Sequence, residues 1–175
     1  ARGQASELAE KALALGGAVA DAQCVLGNVM VWQFRHDVAL FHVEEAVKAE
    51  PSNARNLGLR AIVLGWSGHH EEAIAAIEEA MRLDPNHGGW MPWAKGQALF
   101  CLGRYAEAVE VLRSGIERQS GFMPLHLYLM ISLYKLGLAD EAVEVAKTYA
   151  KMNSPLEAER LRSIPSVSYT HLTLP

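Results

Sequence analysis

Apolar residues recur at helical spacing in one short run after another, and clusters of Gly, Pro, Asn and Asp punctuate the runs. The runs are of two kinds. One kind is amphipathic: Ala73, Ile77 and Ala80 recur on one side and Glu71, Glu72, Glu78, Glu79 and Arg82 on the other. The other is apolar and aromatic, as with Leu59, Ile62 and Trp66 or Leu127, Tyr128, Ile131 and Tyr134. The pattern predicts an all-α chain of eight to ten helices without a sheet.

The punctuation is periodic. Gly68, Gly103 and Gly137 each close one run and precede another, and lie 35 and 34 residues apart. A helix that stops in a left-handed residue favours glycine there. Pro51 and Pro85 follow the second run of their units, where a proline cannot continue a helix, and lie 34 residues apart. These marks set units at about 20–53, 54–88, 89–122 and 123–155. The columns agree: Ala39, Ala73, Ala108 and Ala142 form one, Val43, Ile77, Leu112 and Ala146 a second, and Ala46, Ala80, Gly115 and Tyr149 a third. Small residues in such columns let helices approach closely.

A helix–turn–helix unit of about 34 residues, a glycine turn followed by Glu-Ala (Glu72-Ala73, Glu107-Ala108, Glu141-Ala142) and a closing Asp84-Pro85-Asn86 resemble the tetratricopeptide repeat. The resemblance implies a right-handed α-solenoid over residues 1–164, with a partial unit at about 4–19 and a terminal helix at about 156–164. Phe34 stands in the glycine column, Tyr149 in a small-residue column and Ser120 at a closing proline, which leaves local turn geometry open at those points. Residues 165–175 have no helical period and, like a frameshift, cloning or read-through segment, do not read as a repeat. The segment from Leu83 to Trp93 is also similar to C-terminal repeat arrays of bacterial class III adenylate or guanylate cyclases and of winged-helix regulators, which implies a larger signalling parent.

In such a repeat the first helices line the concave side and the second helices face solvent. Groove positions are then Asn28, Trp32, Arg55, Leu59, Ile62, Trp66, Trp90, Trp93, Gln97, Phe100, Tyr128, Ile131 and Tyr134, with Cys24, Val31, Ala94, Leu127 and Lys135 beside them. All four tryptophans fall in this set, and aromatic anchors suit a protein-binding surface. The alternative is that individual rings fill joints between helices. The expected ligand is an extended peptide or a helix of a protein partner, a second copy of the chain included. A chaperone carboxylate clamp is not expected, because Cys24, Leu59, Trp90 and Ala94 stand where the clamp needs polar or basic groups.

Composition narrows the partners further. The formal charge is −4 with no cationic block, which argues against nucleic acid, and apolar stretches such as Ala61 to Gly68 fall far short of the roughly 20 residues that a membrane span needs. Two isolated cysteines, Cys24 and Cys101, and the missing leader pattern point to the cytoplasm. No catalytic residue, metal site or cofactor is expected. His36 and His70 share the repeat column of Tyr105 and read as packing residues, and His69 and His70 point in different directions on a helix. The pairs Glu44-Glu45, Glu71-Glu72 and Glu78-Glu79 belong to the solvated face, where nothing would separate their pKa values. Self-association, or a catalytic domain outside this chain, remain as alternative functions.

Overall fold

The computed structural model describes Lys11 and residues 19–152. Between 19 and 152 it contains eight helices and no strand: α1 (Val19–Trp32), α2 (His36–Ala49), α3 (Ala54–Trp66), α4 (His70–Leu83), α5 (Trp90–Cys101), α6 (Tyr105–Arg118), α7 (Met123–Lys135) and α8 (Ala139–Met152). The expected partial unit at 4–19, the helix at 156–164 and the tail lie outside the described residues, apart from Lys11 and Val19.

Each pair is closed by the same turn. The N–H two residues past the end of the first helix is followed by one that reaches five residues back: Arg35 to Met30, His69 to Leu64, Arg104 to Leu99 and Leu138 to Leu133, all at 2.9–3.0 Å. This bond needs a left-handed residue just before it. Gly68, Gly103 and Gly137 supply it with φ of 86°, 75° and 78°, and Phe34 adopts the same conformation at φ 58°. The first unit therefore keeps the turn geometry and bears the strain of a side chain there.

The turns between units are equally regular. In all three the residue after the second helix donates back to its last turn, from Glu50 to Ala46, Asp84 to Ala80 and Gln119 to Gly115. A second bond then closes the loop, from Asn53 to Glu50, His87 to Asp84 and Phe122 to Gln119, each at 3.2 Å. The loop that carries Ser120 in place of a proline forms the same pair, so hydrogen bonding, not the ring, defines this turn.

The helices pack as an all-α repeat solenoid. Each touches its own partner and the first helix of the next unit, and α1, α3, α5 and α7 also touch in succession, whereas the second helices make no comparable row. Helices in mutual contact lie on the inner side of a curved array, so the first helices form its inner face. The repeat columns are at the joints: Ala39, Ala46, Ala80 and Ala108, and the larger Val43, Ile77 and Leu112, are completely buried. Ion pairs tie successive units in register, Arg60 to Glu44 at 2.6 Å and Lys95 to Glu78 at 2.7 Å, with matching positions in their repeats.

Candidate binding groove

The C-terminal ends of α1 and α3 bring the two equivalent tryptophans together: the Trp32 and Trp66 rings are 6.0 Å apart at 45°. Both helices end at these residues because the left-handed turn follows directly. Trp32 Nε1 donates to Asn28 Oδ1 at 3.1 Å, one turn back on the same helix, and this holds the ring. Trp93 comes from α5 and packs edge-on against Phe122 at 6.0 Å.

These three rings surround a cavity of about 120 Å³ with Asn28, Leu59 and Ile62, and Val31 and Val63 complete the wall. Six of the thirteen residues expected in the groove thus share one concavity, contributed by three successive first helices. Val63 is the member that periodicity did not point out. It is buried against the first-unit core, and a valine among Ile62, Leu64 and Ala61 carries no signal of its own.

The other expected residues are placed differently. Arg55 is exposed and lies 3.5 Å from Asp21, and with Leu59 and Trp90 it borders a second opening closed by Asp84 and Met91. Trp90 is half-buried and fills a joint: a Cβ at Gly58 would fall 2.4 Å from its Cη2, so glycine is what lets the ring lie across α3. Phe100 packs against Tyr105 at 5.4 Å and Tyr128 at 5.8 Å, an aromatic joint between α5, α6 and α7. Gln97 is buried and shares a side-chain hydrogen bond with Tyr128, whose hydroxyl burial pushes above its usual pKa. Ile131 is half-buried and Tyr134 exposed, and neither reaches the tryptophan cavity.

Cys24, Val31 and Ala94 are buried; Val31 forms part of the cavity wall, and Cys24 borders a shallow opening with Asn28, Arg55 and Leu59. Cys24 Sγ donates to Asn56 Oδ1 at 3.1 Å, and burial pushes the thiol up to about 11. Asn56 is fully buried, and its Nδ2 reaches Ala46 O and Glu50 Oε2, both at 3.4 Å. This polar knot at the joint of the first two units was invisible in sequence, where Asn56 looks like an ordinary residue of a helix start. Asn53 caps that helix by accepting from the N–H groups of Arg55 and Asn56.

His36 and His70 begin α2 and α4, half-buried, and the Nδ1 of each is buried without a hydrogen-bond partner, as is Trp93 Nε1. His126 Nε2 lies 2.7 Å from Ser120 O and His87 Nδ1 3.1 Å from Gly88 O, both in loop-bracing positions. Among the described residues no group of three or more His, Cys, Asp or Glu could hold a metal ion, and no described helix is long and apolar enough to cross a membrane.

The fold is an all-α helical-repeat solenoid, and residues 55–87 match the tetratricopeptide repeat family. Two solved crystal structures of MamA have the same fold. One gives a TM-score of 0.69 at 17% identity, over 90% of this chain and 89% of that one. The other gives 0.67 at 16%, over 99% and 98%. The tetratricopeptide domain of Sgt2 from Aspergillus fumigatus gives 0.63 at 26% identity, over 70% of this chain and 82% of that one. Comparison with the curated proteins gives no match. A fold of this kind points to protein–protein interaction or scaffolding.

Proposed function

We propose that the chain is a protein-binding repeat module that seats a segment of a partner polypeptide on its inner face, around Trp32, Trp66 and Trp93. The observation that carries this reading is the cavity those three rings surround, because it draws one aromatic side chain from each of three successive units and leaves Trp32 and Trp66 about half exposed, at 52% and 41%. Large aromatic faces held on rigid helices give binding area at little entropic cost. The same lining speaks against an acidic C-terminal carboxylate as ligand, since it contains neither Lys nor Arg.

A random peptide library displayed on phage and selected against the folded protein tests the reading. Selected peptides should bind the wild type and lose about 1–3 kcal/mol on Trp66→Ala, in the range of interface anchors, while the variant keeps its helical circular dichroism. Peptides indifferent to Trp66 and Trp32 would remove the inner face as the site. If instead light scattering shows mass doubling with concentration, and Trp66→Ala abolishes it, the segment seated there belongs to a second copy. The further reading, a cytoplasmic regulatory part of a larger bacterial signalling protein, draws support from the Leu83 to Trp93 segment, and the coding sequence upstream of Ala1 tests it. A cyclase or winged-helix domain there is the expected result.

A further inference from the structure

We infer that the tryptophan cavity takes one bulky, uncharged apolar side chain of the partner, of the leucine or phenylalanine kind; this rests on the protein-binding reading above. Volume sets the size. The cavity measures about 120 Å³. Apolar cavities of roughly 150 Å³ accept a benzene ring, so there is space for one side chain and not for a helix turn.

Charge sets the chemistry. The wall holds Asn28 as its one polar side chain and no Lys, Arg, Asp or Glu. A carboxylate or ammonium entering it would lose water and meet no counter-charge. Tryptophan faces do attract cations, and three of them invite comparison with an aromatic cage. Here, however, aliphatic side chains, Leu59 and Ile62 among them, make up the rest of the wall, and no carboxylate completes a cage. The Trp32 indole N–H is already engaged by Asn28 Oδ1, so what it offers an incomer is ring surface.

Phe34, two residues beyond Trp32, is 85% exposed in the left-handed conformation that the other units give to glycine. The turn after Trp32 thus bears both a strained backbone and an exposed ring, which adds apolar surface at the end of the helix that carries Trp32.

The test is a titration of the ¹⁵N-labelled protein followed at the indole N–H signals of its tryptophans, with four probes: 4-methylpentanamide, 3-phenylpropanamide, tetramethylammonium and glutarate. The two neutral amides should saturate shifts at Trp32, Trp66 and Trp93, with Trp66→Ala weakening them about tenfold or more, while the two ions leave these signals in place. Saturation by tetramethylammonium in preference to the amides would replace the apolar occupant with a cation. If no probe moves the three signals although selected peptides still depend on Trp66, the side-chain pocket is overturned and the binding face stands. Selected peptides that ignore Trp66 would remove the face itself. Sequencing those peptides gives the second measurement: a shared Leu, Ile, Met or Phe is expected, and a shared Asp, Glu, Lys or Arg at the anchor position overturns the inference.

Discussion

Cys24 and Cys101 are both thiols on first helices, yet their surroundings separate their reactivity. Cys101 is exposed, whereas Cys24 is 2% exposed, bonded to Asn56, and raised by burial to about 11 from a usual 9.0. The thiolate is the nucleophile, so at pH 8 roughly one Cys24 in a thousand is in reactive form. Maleimide should modify Cys101 first and Cys24 only as the first joint opens; equal rates would show that α1 is loosely held. Because the folded state favours the neutral Cys24 thiol, its contribution to stability is complete below pH 9 and declines as pH rises toward 11. At Phe34 the expectation is opposite in sign: Phe34→Gly should raise stability by about 1 kcal/mol, seen as a higher melting temperature, since a left-handed non-glycine residue costs about 1–2 kcal/mol and an exposed ring gives up little packing. An unchanged or lower melting temperature would mean that the ring makes contacts worth the strain. Glycine's place in the column was legible in the sequence. That Phe34 would keep the glycine geometry was not, because a turn hydrogen bond from Arg35 to Met30 enforces it.

Helix pairs are held by close approach at small residues. A Cβ at Gly96 would lie 2.6 Å from both Cγ and Cδ2 of Leu112, a branch point that cannot swing aside as the end of a lysine could. Gly96→Ala should therefore destabilise by about 1–3 kcal/mol, the cost of overpacking, measured by denaturant unfolding. A neutral result would mean that α5 and α6 can separate without loss. The ion pairs that repeat at the first two joints do not continue to the third. Leu129 stands in the place of Lys95 and Arg60, and Arg113 pairs with Glu141 on α8 instead. Pairs this exposed contribute little each, so their use is in fixing register.

Across the array, burial falls toward the C-terminal described helix. Val143 is 51% exposed, whereas its counterparts Ile74 and Val109 are 6%, and Ala142 is the one buried residue of α8. A solenoid's stability is the sum of unit and neighbour terms, so an under-covered end opens first. Amide exchange should be slowest in α4 to α6 and faster in α8 by at least tenfold; equal protection across the array would indicate a single cooperative unit and contradict the nearest-neighbour picture.

The sequence by itself determined the repeat length, the turn glycines and the small-residue columns, because these follow from local period and backbone conformation, which neighbouring residues specify. It also placed Trp32 and Trp66 on equivalent positions, a matter of counting. Which rings bound a cavity and which fill a joint was decided by tertiary structure alone. Trp90 and Trp93 are three residues apart on one helix, yet one lies across Gly58 and the other lines the cavity. Their fates differ because burial depends on what the neighbouring helix leaves open, and no period within a single helix records that.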